Sequence, residues 1–268
     1  MFTETFSKDN LDNILKELSK EYKKLGGKRV PAEIILIGGA AVIENYGFRE
    51  MTTDIDAIIN AATIMKDAIN SVGDHLNLPN GWLNDDFKKT DSYSPHLIEV
   101  SKPYKTFSNV LSVRIVSSEY LIAMKLKSGR KYKNDLSDVV GILAEHNKRN
   151  ENISLEQIEE ALNKLYGGWT ALPAESVSFI HNVLAEGNFD SIYDEIRNNE
   201  IRTKELLTEF ENKYQGVVNK NNVNEIIDNI NSKEDSKLSI LEHLEKIKKS
   251  QSSKEITSDE IQKLPDKF

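Results

Sequence analysis

The sequence predicts an α/β chain, a small mixed sheet flanked by helices and followed by a helical C-terminal domain. Three observations predict it. Short apolar runs bounded by turn residues alternate with helical periodicity up to about residue 143, whereas apolar spacings of three and four dominate from Ser154 onward. The length, 268 residues, suits one medium α/β unit with a helical appendage. A hydrophobic content of 38% beside 29% charged residues is that of a soluble globular protein.

The elements follow in order. Leu11, Ile14, Leu15, Leu18 and Tyr22 give Asp9 to Lys24 one apolar face, with Ser7 or Asp9 as cap and Gly26-Gly27 as stop. A buried strand over 33–37 ends in Gly38-Gly39, and a short helix follows from Gly39. Asp54 to Ile59 reads as a strand, Ala62 to Val72 as a helix, and Leu78 to Asp85 as a turn-rich segment becoming helical. His96 to Val100 and Val110 to Val116 read as further strands. A helix from Ser118 ends near Gly129, and Asp135 to Glu145 forms the next, with Leu136, Val139, Val140, Ile142 and Leu143 as its apolar side. Ser154 and Gln157 make a capping box, and Tyr166 followed by two glycines ends that helix. Helices near 173–185, 189–214, 221–231 and 233–249 complete the series.

These patterns divide the chain at Gly167-Gly168 into an α/β domain (1–167) and a helical domain (168–250), with a weakly attached tail (251–268). The net charge of −8 excludes a protein that coats nucleic acid over its whole surface. Residues 1–150 hold 21 Lys and Arg against 20 Asp and Glu, and residues 151–268 hold 14 against 23. The acidic surplus therefore lies in the helical half, where it suits a basic partner or a dimer interface. With no cysteine in the chain, disulfides and thiolate metal sites are excluded. The first 25 residues are polar and amphipathic, unlike a signal peptide, and no apolar run approaches membrane-spanning length. The expected location is the cytoplasm.

The chemistry concentrates in one stretch. Ile34 to Ile37 leads into Gly38-Gly39, a bare backbone turn able to meet a phosphate through its N–H groups. Arg49, Thr52, Asp54 and Asp56 follow, and in a strand the two aspartates share one face while Ile55 enters the core. Two acids on one face are costly unless a cation sits between them. Farther on, Lys125, Lys127, Arg130, Lys131 and Lys133 place five positive charges in nine residues. On a helix Lys125 falls one turn after Leu121, on the apolar side.

This order of strand, double glycine, short helix, Arg49, Thr52 and Asp54-Ile55-Asp56 resembles the signature of the nucleotidyltransferase superfamily of DNA polymerase beta. The block Ser112 to Val139, with Lys125, Arg130, Asp135 and Asp138, and the run Trp82-Leu83-Asn84-Asp85 are similar to bacterial nucleotidyltransferase-like proteins of toxin–antitoxin and abortive-infection type. The resemblance spans about residues 33–143. It implies that Gly38 and Gly39 bind an NTP triphosphate and that Asp54 and Asp56 hold Mg²⁺ or Mn²⁺ at the α-phosphorus. Lys125 and Arg130 would compensate phosphate charge, Asp135 or Asp138 would complete the site, and Arg49 and Thr52 would line it. The implied acceptor is RNA, such as a tRNA 3′ end, or a protein side chain, and the implied role a growth-inhibiting toxin with an antitoxin partner.

Two departures keep other readings open. Gly39 stands where the superfamily commonly has serine, and a third carboxylate is not evident, Glu99 being the candidate. A degenerate nucleotide-binding regulatory module and an antibiotic nucleotidyltransferase are the alternatives. His75, His96, His146, His181 and His243 lack ligand spacing and place neither a metal nor a serine triad. Trp82 and Trp169 read as core or interface anchors.

Overall fold

A computed structural model of the chain describes residues 5–46, 48–49, 51–219 and 222–231. Helix α1 (Lys8–Lys24) buries Leu11, Ile14, Leu15, Leu18 and Tyr22, the stripe expected from its spacing. Strand β1 (Ala32–Leu36) feeds helix α2 (Gly38–Asn45), and strand β2 (Ile55–Asn60) returns antiparallel to β1. Helix α3 (Ile64–Leu76) packs against α1, and the two-residue strand β3 (Leu83–Asn84) lies parallel to β2. A single turn, α4 (Leu97–Val100), leads to strands β4 (Ser101–Phe107) and β5 (Leu111–Val116).

The sheet order is β3-β2-β1-β5-β4, with β1 parallel to β5 and β4 antiparallel to it. Its mixed pairing and flanking helices are those expected of the sequence. The central strand β1 therefore ends beside the start of β2 and the end of β5. The register Leu36↔Ala57 brings Asp56 beside the end of β1, and the Ile37 N–H donates to the Asp56 carbonyl at 3.1 Å. The parallel β1/β5 pair delivers helix α5 (Ser118–Ser128) to the same end. One end of the sheet thus gathers the glycine turn, the aspartates and the start of the helix that carries Lys125.

Helices α6 (Asp135–Lys148) and α7 (Leu155–Tyr166) pack on α5, as does α8 (Ala174–Glu186). The capping box opening α7 is present: Gln157 N–H reaches Ser154 Oγ at 3.3 Å, and Ser154 N–H reaches Gln157 Oε1 at 2.8 Å. Helices α9 (Phe189–Lys213) and α10 (Val223–Asn231) follow. The helix expected over 233–249 and the tail 251–268 lie outside the described residues. Among the described residues no helix is long and apolar enough to cross a membrane.

Two segments depart from expectation. His96 to Val100 is helical rather than extended, because Pro95 holds a helix-compatible φ and Ser94 receives the Leu97 N–H on its carbonyl at 3.1 Å. The run Leu78 to Asp85 ends in β3 instead of a helix, with a 3₁₀ turn only at Asp86–Lys89. Strand β4 itself had no clear signature, since Pro103 interrupts it and a bulge lies between Pro103 and Lys105, features of an edge strand.

The chain forms two compact units. The first comprises Met1–Arg130 and Asn134–Arg197, with one continuous apolar core. The second comprises Lys131–Lys133 and Asn198–Phe268 and holds a smaller cluster around Phe210, Val217 and Ile226. Every residue of the site described below belongs to the first unit.

Candidate active site

The turn after β1 leaves little room for side chains. Gly38 has φ +57, a left-handed conformation, and an alanine Cβ there would stand 3.3 Å from Asp56 Oδ2. A Cβ at Gly39 would lie 2.7 Å from both Arg49 Nη2 and Thr52 Oγ1. The two glycines therefore admit an aspartate on one side and an arginine with a hydroxyl on the other. Because they begin α2, their N–H groups have no partner within the helix.

Asp54 lies just before β2 and is exposed, whereas Asp56 lies within the strand and is half-buried. Ile55 between them is fully buried, and its N–H donates to the Trp82 carbonyl at 2.8 Å. Burial first, and then the neighbouring Asp54, raise the Asp56 carboxyl above its ordinary pKa; Lys125, Arg130 and a hydrogen bond from Asn84 oppose the rise. A carboxylate held at this disadvantage is a place where a cation is welcome. Among the described residues no group of three His, Cys, Asp or Glu could hold a metal, so an ion placed at Asp54 and Asp56 would find at most these two carboxylates there. Such a pair suits Mg²⁺, which keeps waters and substrate phosphates as its remaining ligands.

Behind the aspartates runs an alternating chain of charges. Lys125 Nζ lies 2.9 Å from Asp135 Oδ1 and 2.8 Å from Asp138 Oδ2. Arg130 Nε reaches Asp135 Oδ2 at 2.8 Å, and Arg49 Nη1 reaches Asp138 Oδ2 at 2.6 Å. Asp135 is fully buried and Asp138 nearly so. Burial acts to push the Asp135 carboxyl up, but Lys125 and Arg130 outweigh it and hold the group well below the ordinary carboxylate range. Burial likewise acts to lower the Lys125 ammonium, and Asp138 with Asp135 reverses the sign, leaving it raised.

The residues singled out in the sequence thus assemble, and their neighbours become explicit. Gly38 faces Asp56, Gly39 faces Arg49 and Thr52, and Arg49 joins that group to Asp138 on α6. Lys125 is enclosed between Asp135 and Asp138, and Arg130 is paired with Asp135 at its exposed end. The third-acid candidate, Glu99, lies on an exposed helical turn, where Lys164 and His96 lower its pKa; its Oε2 is 2.6 Å from Lys164 Nζ. Trp82 is buried, its indole N–H donating to the Ile69 carbonyl at 3.0 Å, so it is a core anchor. Asn84, beside Asp56 in the β2/β3 pair, had no role assigned from sequence. Its signal is the parallel pairing of β3, which two residues are too few to announce.

A family model described as "Nucleotidyltransferase of unknown function (DUF6036)" matches residues 13–164, and every residue of this site falls inside the match. Neither a curated protein nor a solved structure matches the chain. With more than half its length matched, including the glycine turn, the aspartates and the charge chain, the chain belongs to this nucleotidyltransferase family of unknown function.

Proposed function

We propose that the protein transfers a nucleoside monophosphate from an NTP to an acceptor hydroxyl with release of pyrophosphate. The observation that carries this reading is the Asp54–Asp56 pair standing beside the Gly38-Gly39 turn, with Arg49, Lys125 and Arg130 in its surroundings. Bound at Asp54 and Asp56, Mg²⁺ would neutralise phosphate charge and polarise the phosphoryl oxygens. The amides of Gly38 and Gly39 bind phosphate oxygens, and Arg49 and Arg130 neutralise charge at their edge. Lys125, Asp135 and Asp138 hold the two arginines in place. The acceptor oxygen forms its bond to the α-phosphorus, the bond to pyrophosphate breaks, and the acceptor proton passes to solvent.

The absent serine is consistent with this reading. The space that a residue-39 side chain would need is taken by the Arg49 guanidinium and the Thr52 hydroxyl, so polar groups meet the turn from the other side. The acceptors to be tested are RNA, including tRNA 3′ ends, and protein side chains, with a toxin role and an antitoxin partner as the biological reading. Purified protein incubated with Mg²⁺ and α-labelled NTPs, and offered total RNA, protein extract or an aminoglycoside, labels RNA or protein on this proposal. Asp54→Asn with Asp56→Asn abolishes the label without unfolding the chain.

A second reading, a nucleotide-binding regulatory module without turnover, is favoured by one observation: Glu99, the candidate third acid, is engaged with Lys164. NTP binding with no label passed to any acceptor would establish it.

A further inference from the structure

The geometry points to Phe48 and Gly141 as a positioning pair that sets the place of Arg49 over the Gly38-Gly39 turn. This inference rests on the nucleotide-site reading above. Gly141 lies in the interior of α6, where alanine would make a stronger helix. Its reason for being glycine is the ring of Phe48: an alanine Cβ at 141 would stand 2.5 Å from Cε2, 2.6 Å from Cδ2 and 2.7 Å from Cζ. The ring has little room to retreat. Tyr46 stacks tilted at 5.6 Å and Tyr193 meets it edge-on at 5.6 Å, while the Tyr193 hydroxyl donates to the Phe48 carbonyl at 3.3 Å.

The next residue is Arg49, bound to Asp138, three positions before Gly141 and so one turn away on the same helix. Consecutive residues of the loop therefore meet consecutive turns of α6, one by shape and one by charge. Downstream the loop is fixed again, because Thr52 and Phe6 exchange backbone hydrogen bonds at 2.8 and 2.7 Å. The Arg49 guanidinium donates to the Met51 carbonyl at 3.2 Å and covers Gly39. Asp138 alone fixes one end of a long, flexible side chain; the Phe48 seat fixes the backbone from which it springs. Phe48 and Gly141 touch no reacting atom and act through Arg49.

The test uses the full chain and calorimetric titration with MgATP, MgGTP, MgCTP and MgUTP in turn. Gly141→Ala is expected to weaken binding of the preferred nucleotide about tenfold, and in an Arg49→Ala background to change it less than about twofold, since sites acting through one group are non-additive. Gly141→Ala with Phe48→Ala, which relieves the clash but also removes the seat, is expected to bind no better than Gly141→Ala. Should Gly141→Ala fail to fold by circular dichroism, Phe48→Leu is carried through the same cycle with Arg49→Ala. A wild type that binds none of the four nucleotides overturns the site reading and this inference with it. A wild type that binds, beside a Gly141→Ala protein that binds equally or whose loss persists undiminished without Arg49, overturns the positioning role alone.

Discussion

Lys125 Nζ stands 2.8 Å from Asp138 Oδ2 where both side chains are almost wholly withdrawn from solvent, and the same ammonium is 2.9 Å from Asp135. A buried lysine between two buried aspartates is structurally committed, because removing it leaves two carboxylates with one arginine each. Breaking a buried pair costs about 3–5 kcal/mol. Lys125→Met is therefore expected to lower unfolding free energy by roughly 3 kcal/mol in urea titration. A loss below about 1 kcal/mol, typical of an exposed pair, would show the ammonium to be solvated.

The same chain of charges sets an acid limit on stability. Asp135 has a folded pKa below its ordinary value of 3.8, so the unfolded state binds the proton more readily. Its contribution is fully present above that value and is lost as pH falls from it through the lower folded pKa. Asp135→Asn is expected to flatten the acid side of the stability curve, measured as Tm against pH between about pH 5 and 2.

Asp56 behaves with the opposite sign. Its folded pKa is raised, so the native state binds the proton more readily and stability falls as pH rises from the ordinary 3.8 through the raised value, staying reduced at neutral pH. Asp56→Asn is expected to raise the Tm of the metal-free protein at neutral pH while abolishing transfer. Carboxyl NMR of metal-free protein should place the Asp56 titration above the usual carboxylate range, and Asp54→Asn should move it down by removing the adjacent charge. A titration unchanged by Asp54→Asn would separate the two carboxylates.

The sequence carried the mixed sheet and its flanking helices, though not every strand of the sheet. An apolar run ending in two glycines, followed by alternating acids, is a local pattern, and it was legible because its chemistry is local. Strand β4 was hidden by Pro103 and by lysines that an edge strand sends to solvent, and the Leu97–Val100 turn by a short apolar run compatible with either state. The run from Lys125 to Lys133 reads as a basic patch, yet Lys125 lies between two aspartates, Lys127 reaches the Ala171 carbonyl at 2.5 Å, and Arg130 pairs with Asp135. Only Lys125's position one turn after Leu121 signalled its burial. The glycines at 39 and 141 are explained by partners about 10 and 93 residues away, distances at which no local pattern speaks.

Gly39 gives the sharpest test of how this turn works. If glycine there were merely the loss of a serine, Gly39→Ser would restore a phosphate-binding hydroxyl and raise activity. The geometry gives the opposite sign, since the new Cβ would meet Arg49 Nη2 and Thr52 Oγ1 at 2.7 Å, nearer than such atoms approach, and Thr52 is buried and bridged to Phe6. Arg49, the more exposed of the two, must yield, and a guanidinium displaced by about 1 Å forfeits on the order of 10²-fold in rate. Gly39→Ser is therefore expected to reduce labelling by that order. Adding Thr52→Ala, which vacates one of the two clashing positions, should recover part of it, because the new Cβ then has room to shift away from Arg49. A Gly39→Ser protein more active than wild type would mean that Arg49 is no part of the phosphate site.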